Sequence, residues 1–132
     1  MRRENPENII VELPSITVKL ALQMPNQLFE DMSRLEADET LLVEHPRYFS
    51  DFDYHAKKLV LHRASMKAYA DGRDLEYVEH SEAENRVRRA FEEADEVALF
   101  DPVDHKLRGR LEKLSEEHGT ELEFLQTPLF VN

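Results

Sequence analysis

Stretches suited to strands and stretches suited to helices take strict turns along this chain, and that alternation limits its fold more than any single residue does. "ITVKLALQM" (residues 16–24) is apolar and β-branched enough for a first strand, and "PNQ" at Pro25–Gln27 breaks it. "LFEDMSRL" (28–35) has the spacing of a short helix, and "TLLVEH" (40–45) is a second strand. A long helix is expected from Asp53 to Ala70, ended by Asp71-Gly72. "LEYVEH" (75–80) is a third strand. A helix follows over 81–94, with Ser81 and Glu84 spaced as a capping box and Val87, Phe91 and Ala94 on one face. "EVALFDP" gives a fourth strand, closed by Pro102. The next helix turns Leu107, Leu111 and Leu114 inward and stops at Gly119. "ELEFLQTPLFVN" gives a fifth strand and an extended tail.

The order β-α-β-α-β-α-β-α-β with short connections predicts an α/β, Rossmann-like three-layer sandwich. Its core is a five-stranded parallel sheet with helices on both faces. Near-continuous apolar strands suit a sheet covered on both sides. The 132 residues suffice for one such domain. Residues 1–15 are polar, with two prolines and a short apolar patch at Ile9–Val11. They are expected as a flexible extension before a domain at 16–132, with an added edge strand or a dimer arm as the alternative.

Function classes narrow by elimination. No apolar run approaches the length that crosses a bilayer, and the start has no secretory-signal pattern, so a cytoplasmic protein is expected. The chain has no cysteine, hence no disulfide and no thiolate ligand for zinc or iron–sulfur. Its net charge of −11 opposes direct nucleic-acid binding. That charge fits either a high-salt cytoplasm or an ordinary acidic protein. Neither a GxGxxG nor a GxxxxGK[ST] phosphate loop occurs, and there are only three glycines. A small nucleotide-related enzyme on this fold is thereby disfavoured, as is a hydrolase, since no G-x-S-x-G elbow occurs.

In open α/β sheets ligands sit beyond the carboxyl ends of the strands, which directs attention to a few residues. Asn26 and Gln27 after strand 1 carry amides suited to a heterocycle edge, or form a plain Pro-Asn turn. Glu44 after strand 2 can accept from a ring N–H, or be a solvated loop carboxylate. Tyr48 and Phe49 can stack on a ring or plug the edge of the core. Asp101-Pro102 can wall a pocket or open the next helix as cap and turn. The helix within "DYHAKKLVLHRASMKAYADG" is apolar on nearly every side. At 100° per residue His55, Lys58, His62 and Ser65 share a sector within about 80°. Val60, Leu61, Ala64 and Ala68 lie opposite and are expected to pack on the sheet. The polar sector then faces a small-molecule pocket or a covering domain, or holds ordinary surface histidines. Seven residues separate His55 from His62, about 10 Å along the axis, too far for one metal ion.

These residues, in this order, resemble the N-terminal α/β domain of the photolyase-related family, the iron–sulfur bacterial cryptochromes and photolyases. Pro25-Asn26-Gln27-Leu28 stands where the family has Gly-Asp-Gln-Leu, and Val43-Glu44 matches its Val-Glu. His55-Ala56-Lys57-Lys58-Leu59 matches its His-x-x-Lys-Leu, and Ala64-Ser65-Met66-Lys67 resembles its Ser-Ala-Met-Arg. Leu75-Glu76-Tyr77 is similar to its Val-x-Tyr, Asp101-Pro102 to its Glu-Pro, and Leu129-Phe130-Val131 to its Arg-Phe-Leu. The likeness spans residues 16–132. It implies an antenna module, not catalytic by itself, that holds 6,7-dimethyl-8-ribityllumazine or another flavin-like chromophore. Pro25, Asn26, Gln27, Glu44, Tyr48, His55, Lys58, Asp101 and Pro102 would line that site. FAD and a 4Fe-4S cluster would belong to a helical domain outside these 132 residues, in the same full-length chain or a separate protein that acts in DNA repair. The other reading is a stand-alone interaction or homo-oligomerisation module with no ligand.

Overall fold

A computed structural model of the protein describes residues 17–50 and 56–127. The extension at 1–15, His55 and the Leu129–Val131 motif lie outside the described residues.

Five strands form the sheet: β1 Lys19–Gln23, β2 Glu39–Val43, β3 Glu76–Val78, β4 Glu96–Phe100 and β5 Glu121–Leu125. All four pairings are parallel and the order is β3-β2-β1-β4-β5. The helices are α1 Pro46–Phe49, α2 Ala56–Ala70, α3 His80–Glu93 and α4 His105–His118. This is the expected α/β sandwich. Side chains alternate across the sheet. Leu20, Leu22, Leu41 and Val43 pack with α3 and α4 through Val87, Phe91, Leu107 and Leu111. On the other face Leu42 packs with Phe49 and Met66, and Ala21 and Phe100 pack with Leu35.

Four local expectations change. The helix expected over 28–35 shrinks to a 3-10 turn, Ser33–Leu35, ended by Glu36 at φ 51°. The rest of the connection from β1 to β2 is a compact loop that covers β1 and β4 with Phe29, Met32 and Leu35.

Helix α3 begins at His80, so Ser81 lies inside its first turn and the capping box does not form. Glu79 occupies the N-cap without a side-chain bond. The His80 N–H instead donates to Glu44 Oε1 at 2.8 Å, so a carboxylate from another strand caps this helix.

Helix α2 presents the opposite side to the sheet from the one expected. Met66 is fully buried against Leu42, with Leu59 and Tyr69 beside it, whereas Val60 and Leu61 stay 66% and 62% exposed. Ala64 and Ala68 are exposed too. The large side chains Leu59, Met66 and Tyr69 remove more apolar area from water than Val60, Ala64 and Ala68 would. Tyr69 also gains polar partners: its hydroxyl donates to the Phe29 carbonyl and accepts from Gln23 Nε2 at 2.9 Å.

Helix α4 keeps its expected inward face and its stop at Gly119, φ 66°, but Asp104 rather than Asp101 caps its start, accepting from the Lys106 and Leu107 N–H groups. Leu107 and Leu111 are buried and Leu114 half-buried.

Candidate functional site

Strand order reverses at β1, whose neighbours β2 and β4 lead to helices on opposite faces; the crevice beyond β1 and β4 is the usual ligand position. Here the protein fills it. The Gln27 backbone N–H closes a turn on the Met24 carbonyl at 2.9 Å, which exposes Asn26 and buries Pro25 and Gln27. The Gln27 amide then turns inward. It accepts from the Met24 N–H at 3.2 Å and donates to the Phe100 carbonyl at 2.8 Å, stitching the end of β1 to that of β4. Above them Arg47, after β2, donates to Asp104, after β4, at 2.7 Å. This bond spans the end of β1. Burial pushes the Asp104 carboxyl up, but the bonds from Arg47 and the α4 N–H groups, with the Arg47 charge, outweigh it and hold it low. Asp101 accepts from the Val103 N–H at 2.9 Å and from Arg108 at 3.1 Å, and Pro102 is buried. Val103 is 78% exposed at φ 55°, a conformation that β-branched residues avoid.

Glu44 is fully buried at the end of β2. Arg63 of α2 grips it with two bonds, Nε to Oε2 at 2.8 Å and Nη2 to Oε1 at 2.6 Å. The Tyr77 hydroxyl of β3 donates to Oε2, and the His80 N–H to Oε1. Burial raises the Glu44 carboxyl, but these bonds and the Arg63 charge prevail and keep it ionised below its ordinary range. Burial and the Glu44 carboxylate push the Tyr77 hydroxyl far upward, so it stays protonated and donating. Both carboxylate oxygens are thus committed within the protein. Glu44 is neither a solvated loop carboxylate nor an acceptor facing outward.

What Glu44 does is aim its partners. Arg63 is half-exposed and gives Glu44 two of its five N–H groups. With Phe49, Leu59, Val60, Ala64 and His80 it lines an open cleft of about 560 Å³ at the ends of β2 and β3. Phe49 stacks on His80, ring centroids 5.9 Å apart and planes 24° apart, and the Arg63 guanidinium lies 5.8 Å from the Phe49 centroid. His62 closes on the same ring at 6.2 Å. Phe49 itself is buried, and Tyr48 is half-buried between the two layers. Lys58 is exposed on the first turn of α2.

Of the residues singled out from sequence, Glu44 reaches this cleft through Arg63, while Gln27, Asp101 and Pro102 cluster apart at the filled crevice. Arg63, Tyr77 and His80 were missed as members of the site. Arg63 had one visible signal: a cation inside an otherwise apolar stretch, "KLVLHRASM". The polar groups of this cleft are a guanidinium and an imidazole beside an aromatic ring, a set that suits the face and edge of a flat ring.

Comparison with known proteins agrees with this architecture. An archaeal photolyase of Sulfolobus tokodaii, solved with two FAD molecules and described as implying a novel light-harvesting cofactor, is similar in fold. The TM-score is 0.54 at 16% identity, over 83% of this chain and 29% of that one. An uncharacterised protein of Acanthamoeba polyphaga mimivirus is 30% identical over 85% of this chain, which spans 65% of that relative's length. The profile of the family described as deoxyribodipyrimidine photo-lyase-related protein matches residues 21–132. With that match over most of its length, the chain belongs to the deoxyribodipyrimidine photo-lyase-related protein family.

Proposed function

We propose that this domain is a cytoplasmic, non-catalytic antenna module that seats a flat chromophore in the cleft between α2 and the Phe49–His80 pair. The observation that carries the reading is that cleft: an aromatic stack with a guanidinium fixed beside it by a buried carboxylate, at the carboxyl edge of the sheet. The residues fit a heteroaromatic ring such as 6,7-dimethyl-8-ribityllumazine or another flavin-like molecule. Phe49 and His80 offer ring faces, Arg63 offers N–H donors to ring carbonyls, and Leu59, Val60 and Ala64 exclude water from one side. Glu44 serves as the positioning residue that fixes Arg63, and Lys58 is exposed on the first turn of α2. When bound, such a chromophore absorbs light and passes excitation to a flavin held elsewhere.

The flavin, FAD, and any 4Fe-4S cluster are assigned to a helical domain, in the same full-length chain or a separate protein. The exposed stripe Val60, Leu61, Ala64 and Ala68 is the surface offered to that partner. With a net charge of −11, this domain leaves nucleic-acid contact and repair chemistry to the partner.

The test is an absorbance and fluorescence titration with 6,7-dimethyl-8-ribityllumazine, with FMN as comparison. Saturable binding with a shifted band is expected for the native chain. Ala64→Trp, which fills the cleft from an exposed helix position, should abolish it with folding intact. Absence of binding to either compound by a folded sample would overturn the reading.

The same stripe favours a second reading, a stand-alone module that self-associates through α2. Sedimentation would then show mass rising with concentration without ligand, reversed by Leu61→Asp.

A further inference from the structure

One buried histidine is bonded in a way that only its neutral form allows. His45, 5% exposed, follows β2 and is the N-cap of α1, a helix of one turn. Pro46 has no N–H, and the Tyr48 N–H reaches the His45 carbonyl at 2.9 Å. The remaining donor of that turn, the Arg47 backbone N–H, donates to the His45 ring at Nδ1, 3.0 Å away. The neutral ring therefore carries its proton on Nε2. A ring that takes a second proton has an N–H on both nitrogens and can no longer accept.

The surroundings do not draw that second proton in. Across the groove between α3 and α4, His45 faces Glu84 and Arg88 of α3 and Arg110 and Lys113 of α4. Glu84 is the one carboxylate of these four, and Arg88 has Glu92 at 3.9 Å. On α1, Arg47 is paired with Asp104 at 2.7 Å. The neighbouring Glu44 is held by Arg63, Tyr77 and the His80 N–H. An imidazolium docked here would be desolvated without a carboxylate of its own among these groups. A single turn also has little stability apart from its cap and its packing. Yet α1 carries Phe49, which stacks on His80 and lines the α2 cleft.

We propose that His45 is a pH-sensitive latch: proton uptake by its ring frees α1, draws Phe49 away from His80 and opens the α2 cleft. The sign follows from the bond. Released, His45 takes up a proton as pH falls through about 6.5, the ordinary imidazole value, whereas docked it keeps Nδ1 as an acceptor and stays neutral. The docked turn is therefore whole above about pH 6.5 and is lost progressively below it. That window lies above the one set by Glu44, whose contribution disappears below 4.5. Release of a bound chromophore in mild acid, the regulation this latch would exert, rests on the antenna reading; the latch itself does not.

The experiment is a 1H–15N NMR series on the 132-residue chain, without ligand, from pH 7.5 to pH 5. At pH 7.5 long-range ring spectra should show His45 as the Nε2–H tautomer. On acidification the amides of 47–49 should shift together, in step with the His45 ring, and the protection of the Arg47 N–H against exchange should fall about tenfold. His45→Asn keeps a capping acceptor that does not titrate, so it should remain docked to pH 5. An Nδ1–H tautomer at pH 7.5, amides of 47–49 unchanged to pH 5, a transition that follows the rings of His62 or His80 instead, or the same transition in His45→Asn would each overturn the proposal. Because no chromophore is present, a failed lumazine titration leaves this outcome standing, and failure here leaves the antenna reading to its own test.

Discussion

Glu44 shows what a single side chain organises in this domain. One buried carboxylate holds a helix through Arg63, a strand through Tyr77 and the first N–H of α3 through His80. Glu44→Gln removes the charge that unites them and should lower stability by about 2–4 kcal/mol in urea unfolding. The pH dependence follows from the direction of its shift. The folded carboxyl lies below its ordinary value of 4.5, so its contribution is whole above that value and disappears as pH falls through the lower, folded value. The native melting midpoint should therefore drop in acid below about pH 4.5, and Glu44→Gln should show a shallower drop. Its place at a strand end was legible in the sequence. Its partners were not, because they stand 19, 33 and 36 residues away and meet it only after the sheet has paired. Gln27 misled for the same reason: an amide beside a proline turn reads as surface, and its acceptor, the Phe100 carbonyl, is 73 residues on.

The elements divide by how one-sided they are. Helices α3 and α4 have one apolar face each, and their sequences marked Val87, Phe91, Leu107 and Leu111 as buried. Helix α2 has apolar residues on two sides, so periodicity alone could not rank them; side-chain size and a polar partner for Tyr69 decided the matter. Met66→Ala should cost about 2–5 kcal/mol, whereas Val60→Ser should change stability by less than about 0.5 kcal/mol. A larger cost for Val60→Ser than for Met66→Ala, measured by denaturant midpoints, would mean that α2 is turned the other way. At the helix starts the contrast is local against remote. Ser81→Ala should be neutral within about 0.5 kcal/mol, since Ser81 caps nothing. Asp104→Ala should cost about 1–2 kcal/mol and Asp104→Asn less, because asparagine keeps the cap and loses only the charge facing Arg47.

For the molecule as a whole, strand count, parallel direction and two covered faces followed from alternation, because parallel neighbours need a crossover between them. The order β3-β2-β1-β4-β5 lies beyond any local pattern, since it records which strand pairs with which. The net charge is also a property of the whole. With 28 acids against 17 bases, raising salt from about 0.05 to 0.5 M should screen self-repulsion and raise the melting midpoint by about 2–4 °C. A chain suited to a high-salt cytoplasm would instead need molar salt to fold at all, and the same melting series separates the two.

The two sides of α2 also place different demands on descent. Substitutions at Leu59, Met66 or Tyr69 are exposed to selection in every copy of this domain, because folding itself depends on them. Val60 and Leu61 contribute little to folding, so a lineage in which nothing covers them is free to let both drift toward charge. The tempo of change at these two positions, set against that at Met66, would act as a historical record of whether a partner has been continuously present.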